Sequence, residues 1–158
     1  MLPLSSPEFE TGPPGIKSIE LARSVVDRGI RESNAIVSTC SACDGKTTSS
    51  SILILQLWPL DANNLPFEPT ANNYDYAMYY QDPTKTSNLI KKTIPDTTSS
   101  RYTSTKIMAS DISNLSFTYN NASPTLADEI TVTVQNSLVI VGRTQTTSQQ
   151  IKAVLRNK

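Results

Sequence analysis

The sequence contains no histidine, and this absence bears first on catalysis. Histidine is the side chain that enzymes use most often as a general base. The chain also lacks a Gly-rich phosphate loop, a nucleophile elbow and a closely spaced pair of carboxylates. We therefore expect that the protein is not an enzyme, and that it has neither catalytic residues nor a cofactor.

Long apolar runs are missing as well. No segment approaches the roughly 20 continuous apolar residues that cross a bilayer, and residues 1–15 lack the apolar core of a secretory signal. Those residues are rich in proline and polar side chains, and Ser6 to Phe9 resemble a vector-derived linker. We expect a vector-derived or disordered leader at 1–15 and one soluble globular domain at 16–158. If the leader replaced something, the native N-terminus is missing.

An excess of charge of one sign is also absent. The 14 lysines and arginines equal the 14 aspartates and glutamates, and the positive residues are scattered along the chain. A nucleic-acid-binding domain usually gathers its basic residues on one face. The charge pattern therefore disfavours nucleic acid as a partner without removing that alternative.

One segment, residues 15–37, has the pattern of an amphipathic helix. Gly29 costs such a helix roughly 1 kcal/mol relative to alanine, which indicates either a bend or the close approach of another backbone segment. Apolar or small residues recur three or four apart, so they share one face that must pack on something. They are Ile19, Ala22, Val26, Ile30, Ser33 and Val37.

Two cysteines, Cys40 and Cys43, follow this helix in a C-x-x-C arrangement. A redox pair of this kind normally lies at a helix N-terminus, and a zinc site needs about four ligands. We favour a small disulfide that closes the helix-to-strand turn, with redox, zinc and free-thiol states as alternatives. Asp61, Asn63 and Asn64 offer calcium ligands but favour a turn, so no metal site is predicted.

The rest of the chain has the pattern of strands and turns. An apolar run at 52–58 predicts a central strand against the helix, and alternation at 115–119 and 130–134 predicts antiparallel strands with one wet face. Shorter strands are predicted at 74–80, 88–94, 138–141 and 151–155, with a loop at 95–105. The predicted fold class is α+β, with one N-terminal amphipathic helix packed on an antiparallel β-sheet and a second small sheet or hairpin.

The order of these elements resembles the minor pilins and pseudopilins of type IV pili, type II secretion and competence systems. The resemblance covers roughly residues 15–158 and implies a pilin-like domain that lacks the apolar N-terminal half of its helix. It implies that Ile19, Ala22, Val26, Ile30 and Val37 pack on the sheet. The segments that carry it are IELARSVVDRGIRESNAIVSTC, SILILQLW, YDYAMYYQDPTKTSNLIKK, KIMASDISNLSFTYN, EITVTV and TTSQQIKAVLRNK.

This resemblance implies a structural subunit that serves pilus assembly or initiation, secretion, DNA uptake or adhesion. Its partners would be other pilin or pseudopilin subunits. Its precursor would insert in the membrane, and the mature subunit would be extracellular or at the cell surface. The alternative is a free-standing extracellular β-rich adhesin or carbohydrate-binding module that uses its tyrosines, of which the chain has six.

Overall fold

A computed structural model of the chain describes residues 16–155. The leader predicted at 1–15 lies outside the described residues. Between residues 16 and 155, no helix is long and apolar enough to span a membrane. The elements are α1 (Ile16–Glu32), β1 (Ala35–Ile36), β2 (Leu53–Leu57), β3 (Asp75–Gln81), β4 (Leu89–Ile94), β5 (Ser104–Ala109), β6 (Asn114–Tyr119), a 3-10 turn (Pro124–Leu126), β7 (Glu129–Ile140) and β8 (Arg143–Val154).

The strands form two antiparallel sheets. One has five strands in the order β1-β2-β3-β4-β5, and the other has three in the order β6-β7-β8. Strand accounts for 42% and helix for 14% of the structure, so the protein is mostly β and the α+β assignment is wrong. The predicted helix is present, but it has only 17 residues and covers one side of the core. Strands supply most of the other core residues.

The main core lies where α1 meets the inner faces of both sheets. Ile19, Ala22, Val26 and Ile30 are completely buried on one side of α1. They belong to one apolar cluster with residues of the two sheets, because burying that helical stripe removes apolar surface from water. Among the sheet residues of this cluster are Leu53, Leu55, Leu57, Tyr79, Leu115, Phe117, Ile130, Val132 and Val134.

The helix ends five residues before the predicted limit of 37. The backbone N–H and the hydroxyl of Ser33 both donate to the carbonyl of Ile30, at 3.1 and 2.7 Å. The chain then pairs with β2, since Asn34 N–H donates to the carbonyl of Gln56. Val37 is therefore not part of the helical face, and its side chain packs on the opposite side of the five-stranded sheet.

Gly29 marks a close approach between α1 and the side chain of Tyr79. A Cβ atom at position 29 would lie 2.0 Å from the Tyr79 hydroxyl oxygen and 2.7 Å from its ring carbon Cζ. The phenol thus occupies the space that any other residue would need. Among the described residues the buried Tyr79 hydroxyl has no hydrogen-bond partner, and burial raises the pKa of this tyrosine above its usual value.

The outer face of the five-stranded sheet carries a second apolar cluster. It contains Ile54, Met78 and Cys43, all completely buried, and partly buried residues that include Val37 and Cys40. Cys40 and Cys43 are joined by a disulfide. The loop that contains this bond is also tied to the sheet by an ion pair of 2.5 Å between Asp44 and Lys92, which lowers the pKa of Asp44.

We expect reduction of this disulfide to cost only about 2 kcal/mol of unfolding free energy, because chain entropy scales with the small size of the closed loop. Cys43→Ser is expected to destabilise more than Cys40→Ser, since Cys43 is the fully buried partner. Urea denaturation with and without reductant measures both effects. Equal stability of the oxidised and reduced protein would contradict the estimate.

The hairpin of β7 and β8 extends beyond its own sheet. β6 begins at Asn114, opposite Gln135, so from Gln135 to the turn β7 pairs only with β8. All residues from 139 to 146 are exposed, on both faces of the ribbon, and we call this segment the β7–β8 arm. Its tip is apolar, and Val141 adopts a φ of 50° that β-branched residues rarely take.

Candidate anion-binding cleft

Two lysines lie directly opposite each other on neighbouring strands. Lys91 of β4 is the cross-strand partner of Lys106 of β5. Thr93 and Ser104 form the pair two residues along the same face. Like charges placed directly opposite each other destabilise a sheet. Two ammonium groups beside two hydroxyl groups nevertheless suit an anion that contacts both lysines. We call these four residues the Lys91–Lys106 floor.

This floor lies in a cleft of about 330 Å³. Its other lining residues are Glu32, the last residue of α1; Leu57, the last residue of β2; and Arg101 and Tyr102 in the loop before β5. The lining therefore holds three basic side chains and one acidic side chain. Its charge is positive although the chain as a whole is neutral.

Arg101 is held in place by a buried acid. Its Nη1 donates to Asp75 Oδ2 at 2.5 Å and to the carbonyl of Trp58 at 2.6 Å. Asp75 is completely buried at the start of β3 and also accepts from the Ser99 hydroxyl and the Asp96 backbone N–H. Within the described residues both hydrogen bonds of the guanidinium come from Nη1, so its other donors are free to meet a ligand.

Lys91 stands at the centre of the positive charges. Its ammonium lies 5.7 Å from the centre of the Tyr79 ring. Desolvation lowers the pKa of Lys91, and repulsion from Arg101, Lys106 and Arg28 lowers it further, while Glu32 opposes these effects. A bound anion would add to the attraction of Glu32 in offsetting the repulsion between Lys91 and these cations.

The residues singled out from the sequence lie elsewhere. The four buried helix residues belong to the main core, and Cys40 and Cys43 lie under the opposite face of the five-stranded sheet. Asp61 accepts from the backbone N–H groups of Asn63 and Leu65, which is a turn interaction. In the stretch from 16 to 155, no three acidic, cysteine or histidine side chains converge as a metal site would require.

Sequence reasoning missed the cleft because its basic residues come from separate segments. Lys91 and Lys106 are 15 positions apart, and β5 begins inside the segment 95–105 that was predicted to be a loop. A shift in register occurs between Leu89 and Ile90, which no alternation pattern reveals. The one available signal was the spacing of Lys91 and Thr93, which lie two residues apart in a predicted strand and therefore share a face of the sheet.

Comparison with known proteins gives a local similarity. No protein-family model matches the sequence, and no solved structure is detectably similar to it. Over 36 residues the chain is 69% identical to exosome complex component Rrp42 of Archaeoglobus fulgidus and 67% identical to that of Thermococcus onnurineus. Over 34 residues it is 71% identical to that of Methanosarcina acetivorans. The matches span 22–23% of this chain and only 12–14% of the Rrp42 proteins.

These matches overturn the pilin interpretation, because the similar proteins are components of exosome complexes. The identification as a minor pilin or pseudopilin, the filament or adhesin function, the pilin partners and the extracellular location with a membrane-inserted precursor are all wrong. The resemblance depended on the order of one amphipathic helix and several short segments, and strand segments of this kind are common to antiparallel sheets in general.

Proposed function

We propose that this protein has an RNA-exosome-related role as a binding module, and that it holds RNA phosphates at the Lys91–Lys106 floor. The observation that carries the proposal is the cross-strand pair of lysines beside Thr93 and Ser104. The matches to exosome components support the choice of RNA over other phosphate-bearing ligands. No bond is broken in this role, since the module acts by binding alone.

The electrostatics of the cleft favour a phosphate chain over a neutral ligand. Two lysines and Arg101 can contact phosphate oxygens, and each contact releases a condensed counterion from the RNA. With two to three such contacts, the slope of log K against log salt is expected to be roughly −1.4 to −2.1 for a single strand. Glu32 opposes binding because its carboxylate lines the same cleft.

The test is fluorescence anisotropy with a labelled 12-nucleotide RNA across a series of salt concentrations. Lys91→Ala and Lys106→Ala are each expected to weaken binding and to make the salt slope shallower by about 0.7. Glu32→Gln is expected to tighten binding, because it removes the opposing charge and leaves the size of the side chain unchanged.

Lys92→Ala is the matched control for these variants. Lys92 is on the same strand as Lys91, but it pairs with Asp44 at the opposite face of the sheet. Its replacement changes the net charge equally and is expected to leave RNA binding nearly unchanged. Equal losses for Lys91→Ala and Lys92→Ala, or no RNA binding at low salt, would disprove the assignment of the cleft.

The exosome-related part of the proposal has its own measurement. The protein is mixed with a purified archaeal exosome that contains Rrp42, with and without RNA, and the mixture is separated by size-exclusion chromatography. Co-elution in either condition is expected. Separate elution in both conditions, with the RNA binding intact, would restrict the proposal to RNA binding.

A further inference from the structure

We infer that the cleft selects single-stranded RNA, with one phosphate on the Lys91–Lys106 floor and the neighbouring base stacked on Tyr102. This inference rests on the proposed function, because it needs RNA to bind at that floor. It specifies that the RNA is single-stranded and that Tyr102 is the side chain on which a base stacks.

Tyr102 is the first observation. Tyr102 lines the cleft, yet 87% of its surface is exposed. No other part of the described chain therefore covers the ring. Tyr79, by contrast, is completely buried, with the Lys91 ammonium over its ring. An exposed ring beside basic groups is the arrangement that single-strand-binding surfaces use for successive bases.

The backbone that presents Tyr102 is the second observation. The preceding residue, Arg101, is anchored to Asp75 and to the carbonyl of Trp58, and its backbone N–H donates to the Ser99 hydroxyl. Two residues after Tyr102 the chain enters β5 at Ser104, which pairs with Thr93. The ring is therefore attached to a short segment fixed at both ends, so little backbone conformational entropy is lost when a base stacks on it.

The size of the cleft is the third observation. Its volume of about 330 Å³ lies at the lower end of the range for small-ligand sites. It suits a single nucleotide unit that is separated from its neighbours. In double-stranded RNA the bases are stacked inside the helix, and their faces are not available to a side chain. The cleft can therefore take a splayed nucleotide, whereas a duplex would offer it phosphates but no base face.

The experiment compares three ligands by anisotropy or competition: a 12-nucleotide single-stranded RNA, the same sequence as a duplex, and inorganic polyphosphate. The wild-type protein is expected to bind the single strand at least tenfold more tightly than the duplex. Tyr102→Ala is expected to weaken single-strand binding about tenfold, and to leave polyphosphate binding unchanged. Tyr102→Phe keeps the ring and is expected to retain the affinity.

Folding does not confound these variants, because the Tyr102 side chain is exposed, and thermal denaturation of each variant checks this. Equal affinity for duplex and single strand, or a Tyr102→Ala protein that binds the single strand like the wild type, would overturn the inference. In that case lysine-dependent binding of RNA and polyphosphate would still support the proposed function. If neither RNA nor polyphosphate binding depended on Lys91 and Lys106, the proposed function itself would be contradicted.

Discussion

Replacing Gly29 with alanine is expected to lower the free energy of unfolding by about 2 kcal/mol, although alanine is the better helix former by roughly 1 kcal/mol. The added Cβ would lie 2.0 Å from the hydroxyl oxygen of Tyr79 and 2.7 Å from Cζ. The ring is completely buried, so it can move away only by disturbing its neighbours. Chemical denaturation of the variant and the wild type measures the loss.

Tyr79→Phe tests the cause of this loss. Alone it is expected to change stability little, because the buried hydroxyl that it removes has no partner among the described residues. In the Gly29→Ala protein the same change removes the closest clash and is expected to restore part of the loss, while Cζ remains close. Ser24→Ala, at an exposed position of α1, is the control for helix propensity. Purely additive effects of the Gly29 and Tyr79 changes would contradict this account.

Replacing Arg101 with methionine is expected to cost about 3 kcal/mol of unfolding free energy. The reason is that Asp75, whose side chain is 0% exposed, would keep a buried negative charge without its cation. The Ser99 hydroxyl and the Asp96 N–H would still donate to the carboxylate, and they limit the loss. Urea denaturation at neutral pH is the measurement.

Asp75→Asn is expected to cost less than Arg101→Met, because the Arg101 side chain is 21% exposed and water can reach its guanidinium. The double variant is expected to lose less than the sum of the two single losses. Arg143→Met, at an exposed position in the arm, controls for the loss of an arginine and is expected to stay within about 0.5 kcal/mol of the wild type. A larger effect at Asp75 than at Arg101 would contradict this ranking.

The apolar periodicity of α1 was informative because burial of one helical face depends on residues close together in sequence. Its end was not predictable in the same way, because the pairing of Asn34 with Gln56 joins residues 22 positions apart. The fold class was wrong because the extent of the strands was underestimated. The helix pattern was easy to recognise, whereas the long continuous strand Glu129–Ile140 was predicted as two separate strands.

The cleft could not be predicted from the sequence, because its chemistry depends on register. Whether Lys91 meets Lys106 or a neutral neighbour is decided by the irregular pairing after Leu89. A slip of one residue would send these side chains to opposite faces. The buried pair of Asp75 and Arg101 likewise joins the start of β3 to a loop 26 residues later.

The β7–β8 arm has a consequence for how the stability of this protein is measured. A ribbon of two strands with neither face covered has few buried contacts, and isolated hairpins are marginal in water. The amide hydrogens of 139–146 can therefore exchange through local fraying while the helix and both sheets remain folded. Melting of the arm and unfolding of the core are separate equilibria, and a denaturation curve that follows Trp58 reports only the second.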